Sequence, residues 1–253
     1  MDIQLIKTIE DLSLNAWPSH QVQFYDGWLL RFSYFYTHRT NCVEQIGESL
    51  IPFETKISYC EQEYQKWGTP SIFKISPLVS PSLDSMLQNR GYEIQHSTDC
   101  MIADLDHLIQ ISNHEVTVDI SNIISESWLQ SLFALKNTTN IMHRSVVPSM
   151  YRAIPKETLC ASISIDGKVA ATGLGILDRD YIGIYAIHVH PNFRRAHLAS
   201  TLCSALLNKG RERGAIHAYL QVVSDNEPAI GLYRSLGFRY LYTYWFRVHP
   251  LHK

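Results

Sequence analysis

The chain repeats itself, and that recurrence restricts its fold more than any single motif does. Gly68 and Gly91 stand 91 − 68 = 23 positions apart, Gly214 and Gly237 stand 237 − 214 = 23 apart, and the two segments superpose at an offset of 214 − 68 = 146. Self-similarity at a fixed offset means that one supersecondary unit is used twice. Residues 56–67 read as a helix, 71–75 as a strand, and Leu87 with Gly91-Tyr92 as a helix ending, matching the later segment element for element. Asp26-Gly27 and Asp166-Gly167 supply the positive φ angles of tight hairpin turns. They differ by 166 − 26 = 140, so 146 − 140 = 6 residues of loop difference lie between the turns and the glycines. Two related halves are expected, 1–108 and 116–253, with the boundary in the polar stretch from Asp104 to Glu115.

The second half carries the clearer pattern. Ser127 to Leu135 suggests a short helix, and Val147 to Ile154 a further helical turn or loop. Runs over 158–165, 169–176 and 181–189 read as strands of an antiparallel meander. Pro191 stops the third strand, and Leu198, Leu202, Ala205 and Leu206 recur at helical spacing from about Ala196 to Arg213, where Gly214 ends the helix. A strand over 216–223, a helix with Pro228 in its first turn and Gly237 at its close, and an aromatic strand over 239–248 complete the order. The fold class is α/β, an α+β mixed sheet with helices on its faces.

Composition limits the function classes. At 45% hydrophobic and 18% charged the chain can bury a full core, and a net charge of −2 with scattered Lys and Arg offers no field for nucleic acid or an anionic membrane. No apolar stretch is long enough to span a bilayer and no leader h-region is seen, so a cytoplasmic protein is expected. The five cysteines are widely spaced, odd in number and without a CxxC pair, which argues against a disulfide framework or zinc knuckle. His188 and His190 share a strand face by alternation, but no third ligand is evident, so no metal is expected.

Chemistry concentrates between residues 187 and 238. Where a strand runs into a helix within a few residues, unpaired N–H groups and the positive dipole end converge on one space that suits a pyrophosphate. Arg194 and Arg195 add cationic donors there. The next strand-to-helix crossing brings Asn226, whose amide can meet an amide-bearing tail or cap its own helix. Tyr233 lies seven residues further on, on the helix, where its O–H could protonate a departing thiolate.

These residues resemble the GNAT N-acetyltransferases over Tyr181 to Phe238, on the spacing V-x-P-x-x-R-x-x-x-x-A followed by N-x-x-A-x-x-L-Y-x-x-x-G-F. The resemblance implies that Ile187, His188 and Val189 run along the pantetheine arm of acetyl-CoA, with backbone groups of Ile187 and Val189 pairing with it. It implies that Arg194, Arg195, Ala196, His197, Leu198 and Ala199 form the pyrophosphate loop, that Asn226 contacts pantetheine, and that Tyr233 is the general acid. It further implies two GNAT-like domains in tandem, each a mixed, mostly antiparallel sheet flanked by helices. At the 146-residue offset Tyr233 corresponds to Leu87 and Asn226 to Ser80, so the N-terminal half resembles a degenerate copy that does not bind CoA.

Two departures stand out. His197 takes a position where the family usually has glycine, and Ala199 one where it often does. Tyr185 stands where an acidic residue is frequent, leaving the general base open between Tyr185, His188 and ordered water. Strict strand alternation places Tyr185 and His188 on opposite faces. The aromatic run Phe32 to Tyr36 can line an acceptor pocket or form the seam between halves, with the seam as the default. The expected function is acetyl transfer from acetyl-CoA to a primary amine of a small molecule or peptide, in a monomer or homodimer; the alternative is a non-catalytic acyl-CoA binding protein of the same fold.

Overall fold

The computed structural model describes residues 2–111, 113 and 115–249. The boundary expected within 104–115 therefore includes two positions, Ser112 and His114, that lie outside the described residues. The first half comprises α1 (Ile3–Ala16), β1 (Gln21–Tyr25), β2 (Trp28–Phe32), β3 (Val43–Gln45), α2 (Phe53–Gln65), β4 (Ile72–Ile75), α3 (Pro81–Asn89) and β5 (Glu93–Asp104). The second comprises β6 (Val118–Ser121), α4 (Glu126–Leu135), α5 (Ile141–Arg152), β7 (Glu157–Ile165), β8 (Lys168–Asp178), β9 (Tyr181–Val189), α6 (Leu198–Glu212), β10 (His217–Val223), α7 (Glu227–Ser235) and β11 (Arg239–Val248).

Local chemistry accounts for most of these bounds. The turns at Asp26-Gly27 and Asp166-Gly167 both have positive φ, at 43° and 76° and at 51° and 73°, as a two-residue hairpin loop requires. Helix α4 starts where the Ser125 hydroxyl accepts from the Trp128 N–H, and α7 where the Asn226 side chain accepts from Ala229. Helix α5 is longer than its sequence suggests. It begins at Ile141 under an Asn140 cap and runs through Pro148, held by the buried face of Val146, Val147, Met150 and Tyr151. Tertiary packing there outweighs the helix-breaking tendency of proline.

All eleven strands join one sheet in the order β1-β2-β3-β4-β11-β5-β10-β9-β8-β7-β6. Each half places its last strand within the other's side of the sheet, β11 beside β4 and β5 beside β10. Where β5 and β11 run antiparallel, Thr98 pairs with Tyr244. Those two positions differ by 244 − 98 = 146, the repeat offset, so a local twofold axis passes between equivalent residues.

Three apolar clusters fill the molecule. One lies between the sheet and α6, with Leu202, Leu206, Ile182 and Ile184 at its centre. Another packs α2 and α3 of the first half, through Ile57, Cys60 and Leu87, against Trp28, Leu30 and Phe73 of the strands. The third spans the seam, joining α1, α4 and α5 to Cys100, Tyr185, Tyr219, Tyr242 and Tyr244. A buried ionic network ties α1 into the same seam: Lys74 lies 2.6 Å from Glu10 and 3.4 Å from Glu44, and Glu44 lies 2.7 Å from Arg31. Glu10 also accepts from the Tyr242 hydroxyl, so first and second halves share one carboxylate.

Candidate active site

The site begins where two parallel strands part. β9 and β10 pair from Tyr181 with His217 to Ile184 with Leu220 and no further, although β9 continues to Val189 and β10 to Val223. A bulge causes the parting. Ala186 takes φ of 51°, and the register of β9 against β8 shifts between the Leu174–Tyr185 and Thr172–His188 pairs. The β9 backbone beyond Ile184 consequently presents an edge that β10 does not pair, in position to bond an extended ligand as a strand would.

The bulge also re-aims side chains. Before it, Tyr181 and Tyr185 enter the seam core while Ile182 and Ile184 face α6. After it, Ile187 and Val189 pack on the α6 side, which leaves His188 on the seam side with Tyr185, where the Lys136 charge acts on it. Strict alternation predicts opposite faces for Tyr185 and His188; the extra residue at the bulge cancels that inference. Burial first, and Lys136 second, depress the His188 pKa to about 4, so the imidazole is neutral at pH 7. The Tyr185 hydroxyl donates to Tyr219 at 2.8 Å, and burial holds its pKa well above the ordinary phenol range.

Past Val189 the chain makes one 3-10 turn, Pro191–Phe193, and then two left-handed residues, Arg195 at φ 65° and His197 at φ 56°. Alternating left- and right-handed backbone aims successive N–H groups into one concavity. None of the N–H groups from Arg195 to Ser200 bonds to an acceptor among the described residues, and they open onto the first turn of α6. Arg194, Arg195 and the His197 side chain are exposed around them. Inside the loop, the His197 carbonyl accepts from Ser200 Oγ and Thr201 Oγ1, each at 2.8 Å. Asn113 pins it from outside, its side chain donating to the Ala196 carbonyl at 3.2 Å and its N–H to Thr201 Oγ1 at 2.7 Å. No motif singled out Asn113, because its contribution depends on where the link between halves happens to pass.

Helix α7 completes the cleft. Asn226 Oδ1 caps the helix through Ala229 at 3.3 Å, leaving the amide N–H2 uncommitted. Tyr233 is partly buried against the α6 cluster, its ring 6.0 Å from that of Phe238. Its hydroxyl bonds to no described residue, and burial raises its pKa, so it holds a proton available for donation. Among the described residues no group of three or more His, Cys, Asp and Glu side chains could hold a metal ion, and no helix is long and apolar enough to cross a membrane.

A family model described as "Probable histone acetyltransferase Rv0428c C-terminal" matches residues 4–246. The chain belongs to this family. It is a GNAT-type N-acetyltransferase of tandem build, carrying out acetyl transfer. The Bacillus subtilis protein named uncharacterized N-acetyltransferase YobR is 24% identical over 245 residues, 96% of this chain and 98% of that one. A GCN5-related N-acetyltransferase from Kribbella flavida superposes at a TM-score of 0.75 with 15% identity, over 97% of this chain and 96% of that one. A tandem GNAT protein from the clavulanic acid biosynthesis pathway does so at 0.63 with 14% identity, over 84% and 76%.

The two GNAT-like copies differ most at the loop. Val43 pairs with Phe73 as Gly183 pairs with Tyr219, and 183 − 43 = 140 whereas 219 − 73 = 146. Since α2 begins at Phe53 and α6 at Leu198, 198 − 53 = 145, nearly all of the difference falls between β3 and α2. The first copy lacks the stretch that builds the loop in the second. In its place the Asp26 carboxylate accepts from the N–H groups of Leu50 at 3.0 Å and Ile51 at 2.9 Å, and Lys56 lies 3.3 Å from that carboxylate. The N–H groups at the start of that segment are thus satisfied by an internal carboxylate. Leu87, the counterpart of Tyr233, is fully buried.

Proposed function

We propose that the second half binds acetyl-CoA and transfers its acetyl group directly to a primary amine of a small molecule or peptide. The observation that carries this reading is the run of N–H groups from Arg195 to Ser200 that bond to no described residue, opening next to the edge of β9 that β10 does not pair. Those donors suit a pyrophosphate, with Arg194 and Arg195 adding charge, and the β9 edge at Ile187 and Val189 suits the amides of pantetheine. Asn226 has an uncommitted amide N–H2 for the same arm.

In the transfer, the amine nitrogen bonds to the thioester carbonyl carbon and the carbon–sulfur bond breaks. The sulfur leaves as thiolate and takes the Tyr233 proton; the nitrogen gives up a proton, for which neutral His188 is the acceptor on the seam face. Tyr185, a protonated phenol whose O–H is given to Tyr219, borders the site as a fixed wall and not as the base. Residues 1–108 form the wall of the acceptor cleft and 116–253 the cofactor half. Free buried thiols at all five cysteines fit a cytoplasmic protein.

Release of free CoA thiol from acetyl-CoA over a broad amine panel tests the reading. Tyr233→Phe should lower kcat by about a hundredfold or more while acetyl-CoA affinity stays close to that of the parent. Unchanged turnover would remove Tyr233 as the acid. Tyr185 in place of an acidic residue favours a second reading, a non-catalytic acyl-CoA binder, which predicts calorimetric binding of acetyl-CoA with no thiol release from any amine.

A further inference from the structure

The seam opens into a cavity of about 280 Å³ whose walls include Phe35, Tyr36, His38, Arg39, His96 and Phe246. Among the described residues no carboxylate lines it. Arg39 is held through its Nε, which donates to Gln221 Oε1 at 3.0 Å and Tyr244 Oη at 2.8 Å. Its two terminal nitrogens make no hydrogen bond or ion pair with any described residue. Among the described residues the fully buried cations each have a carboxylate: Arg31 has Glu44, Lys56 has Asp26, Lys74 has Glu10 and Arg247 has Asp84. A partly buried guanidinium without a counter-charge is costly, and its planar fork matches a carboxylate.

The segment that presents Arg39 is built for position. Tyr34 and Phe35 both take left-handed backbone, at φ of 51° and 54°, and buried Asn41 fixes them. Asn41 Oδ1 accepts from the N–H groups of Ser33 at 2.5 Å and Phe35 at 3.0 Å, while Nδ2 donates to the Thr37 carbonyl at 2.7 Å. Strained backbone held by a buried polar residue is a common price of a preorganised site. Gln221, the residue Arg39 grips, is the first of β10 beyond its last pairing with β9. The cavity therefore adjoins the parting of the strands, on the seam side that also holds Tyr185 and His188.

We propose that this cavity takes the acceptor and that Arg39 binds a carboxylate on it, so that the preferred acceptors are amines bearing a carboxylate on an aromatic or apolar body, of the size of an aromatic α-amino acid. The inference rests on the acetyl-transfer reading for the amine, and on Arg39 and the aromatic walls for the rest. It disfavours polyamines and other polycations, which a carboxylate-lined cavity would suit.

Calorimetry on the full chain with N-acetylphenylalanine and its uncharged amide tests the anion site without any turnover. The acid should bind about tenfold tighter than the amide. Arg39→Met should abolish that preference and Arg39→Lys keep part of it, with acetyl-CoA binding as the control for folding. Equal or absent binding of acid and amide to the parent, or a preference surviving in Arg39→Met, would overturn the proposal, and the parent comparison stands even if the variants fold poorly. Acetylation rates for phenylalanine and phenylalaninamide separate the two readings. Equal kcat/KM for both sinks the carboxylate site but leaves the enzyme, whereas preferred binding of the acid with no acetylation of any amine sinks the transfer reaction alone.

Discussion

His197 holds a left-handed backbone at the N-cap of α6, a conformation that costs a residue with a Cβ about 1–2 kcal/mol and costs glycine nothing. The family's glycine preference at this point is thus a backbone requirement, and the imidazole itself is exposed. His197→Gly should keep acetyl-CoA affinity within a few-fold and change the unfolding free energy by no more than about 1 kcal/mol, relief of strain being offset by unfolded-chain entropy. His197→Val, β-branched at positive φ, should lose more than about 1 kcal/mol and weaken acetyl-CoA binding. Urea denaturation and calorimetry on the pair check both; equal behaviour of the two variants would show that backbone strain at this residue is irrelevant. At this scale the residues proposed to hold the cofactor are legible because Arg194 to Ala199, Asn226 and Tyr233 form a local motif. Ala186 was not, since an alanine gives no sign of positive φ, and the misplacement of His188 follows from that one residue. Arg39 was not either, because what marks it is the missing carboxylate around it.

The elements read from periodicity match the structure closely, and β11 spans 239–248 as its aromatic run suggests. Helix α5 exceeds what its sequence suggests because Pro148 lies inside it, while the buried face that sustains it belongs to long-range packing. The six-residue mismatch between repeats was countable in sequence, but its meaning was not. It removes the loop between β3 and α2 and lets Asp26 cap the freed N–H groups. One acetyl-CoA per chain should therefore be found by calorimetry, and Asp26→Ala should lower stability without creating a second site. A stoichiometry near two would contradict the internal cap.

The whole molecule depends on the exchange of β5 and β11, which no local pattern could disclose because strand order is fixed by pairing between distant segments. Residues 110–253 expressed alone would leave β10 and β11 without β5 between them, and unpaired edges of this kind aggregate. Size-exclusion chromatography should find that fragment aggregated or unfolded, and co-expression with residues 1–109 should restore a compact, acetyl-CoA-binding complex. A monomeric fragment that binds acetyl-CoA by itself would show that the exchange is dispensable.

The twofold relation at Thr98 and Tyr244 means that each copy remains exposed to selection through the other. A substitution in β5 is felt at once by β10, whose far end borders the cleft, and by β11, which closes the other copy. If the second half alone holds the cofactor, as proposed, the loop of the first half is free to diverge while its final strand stays constrained by the strands of the second. Sequence drift within the family should accordingly be uneven along that half, fast between β3 and α2 and slow along β5.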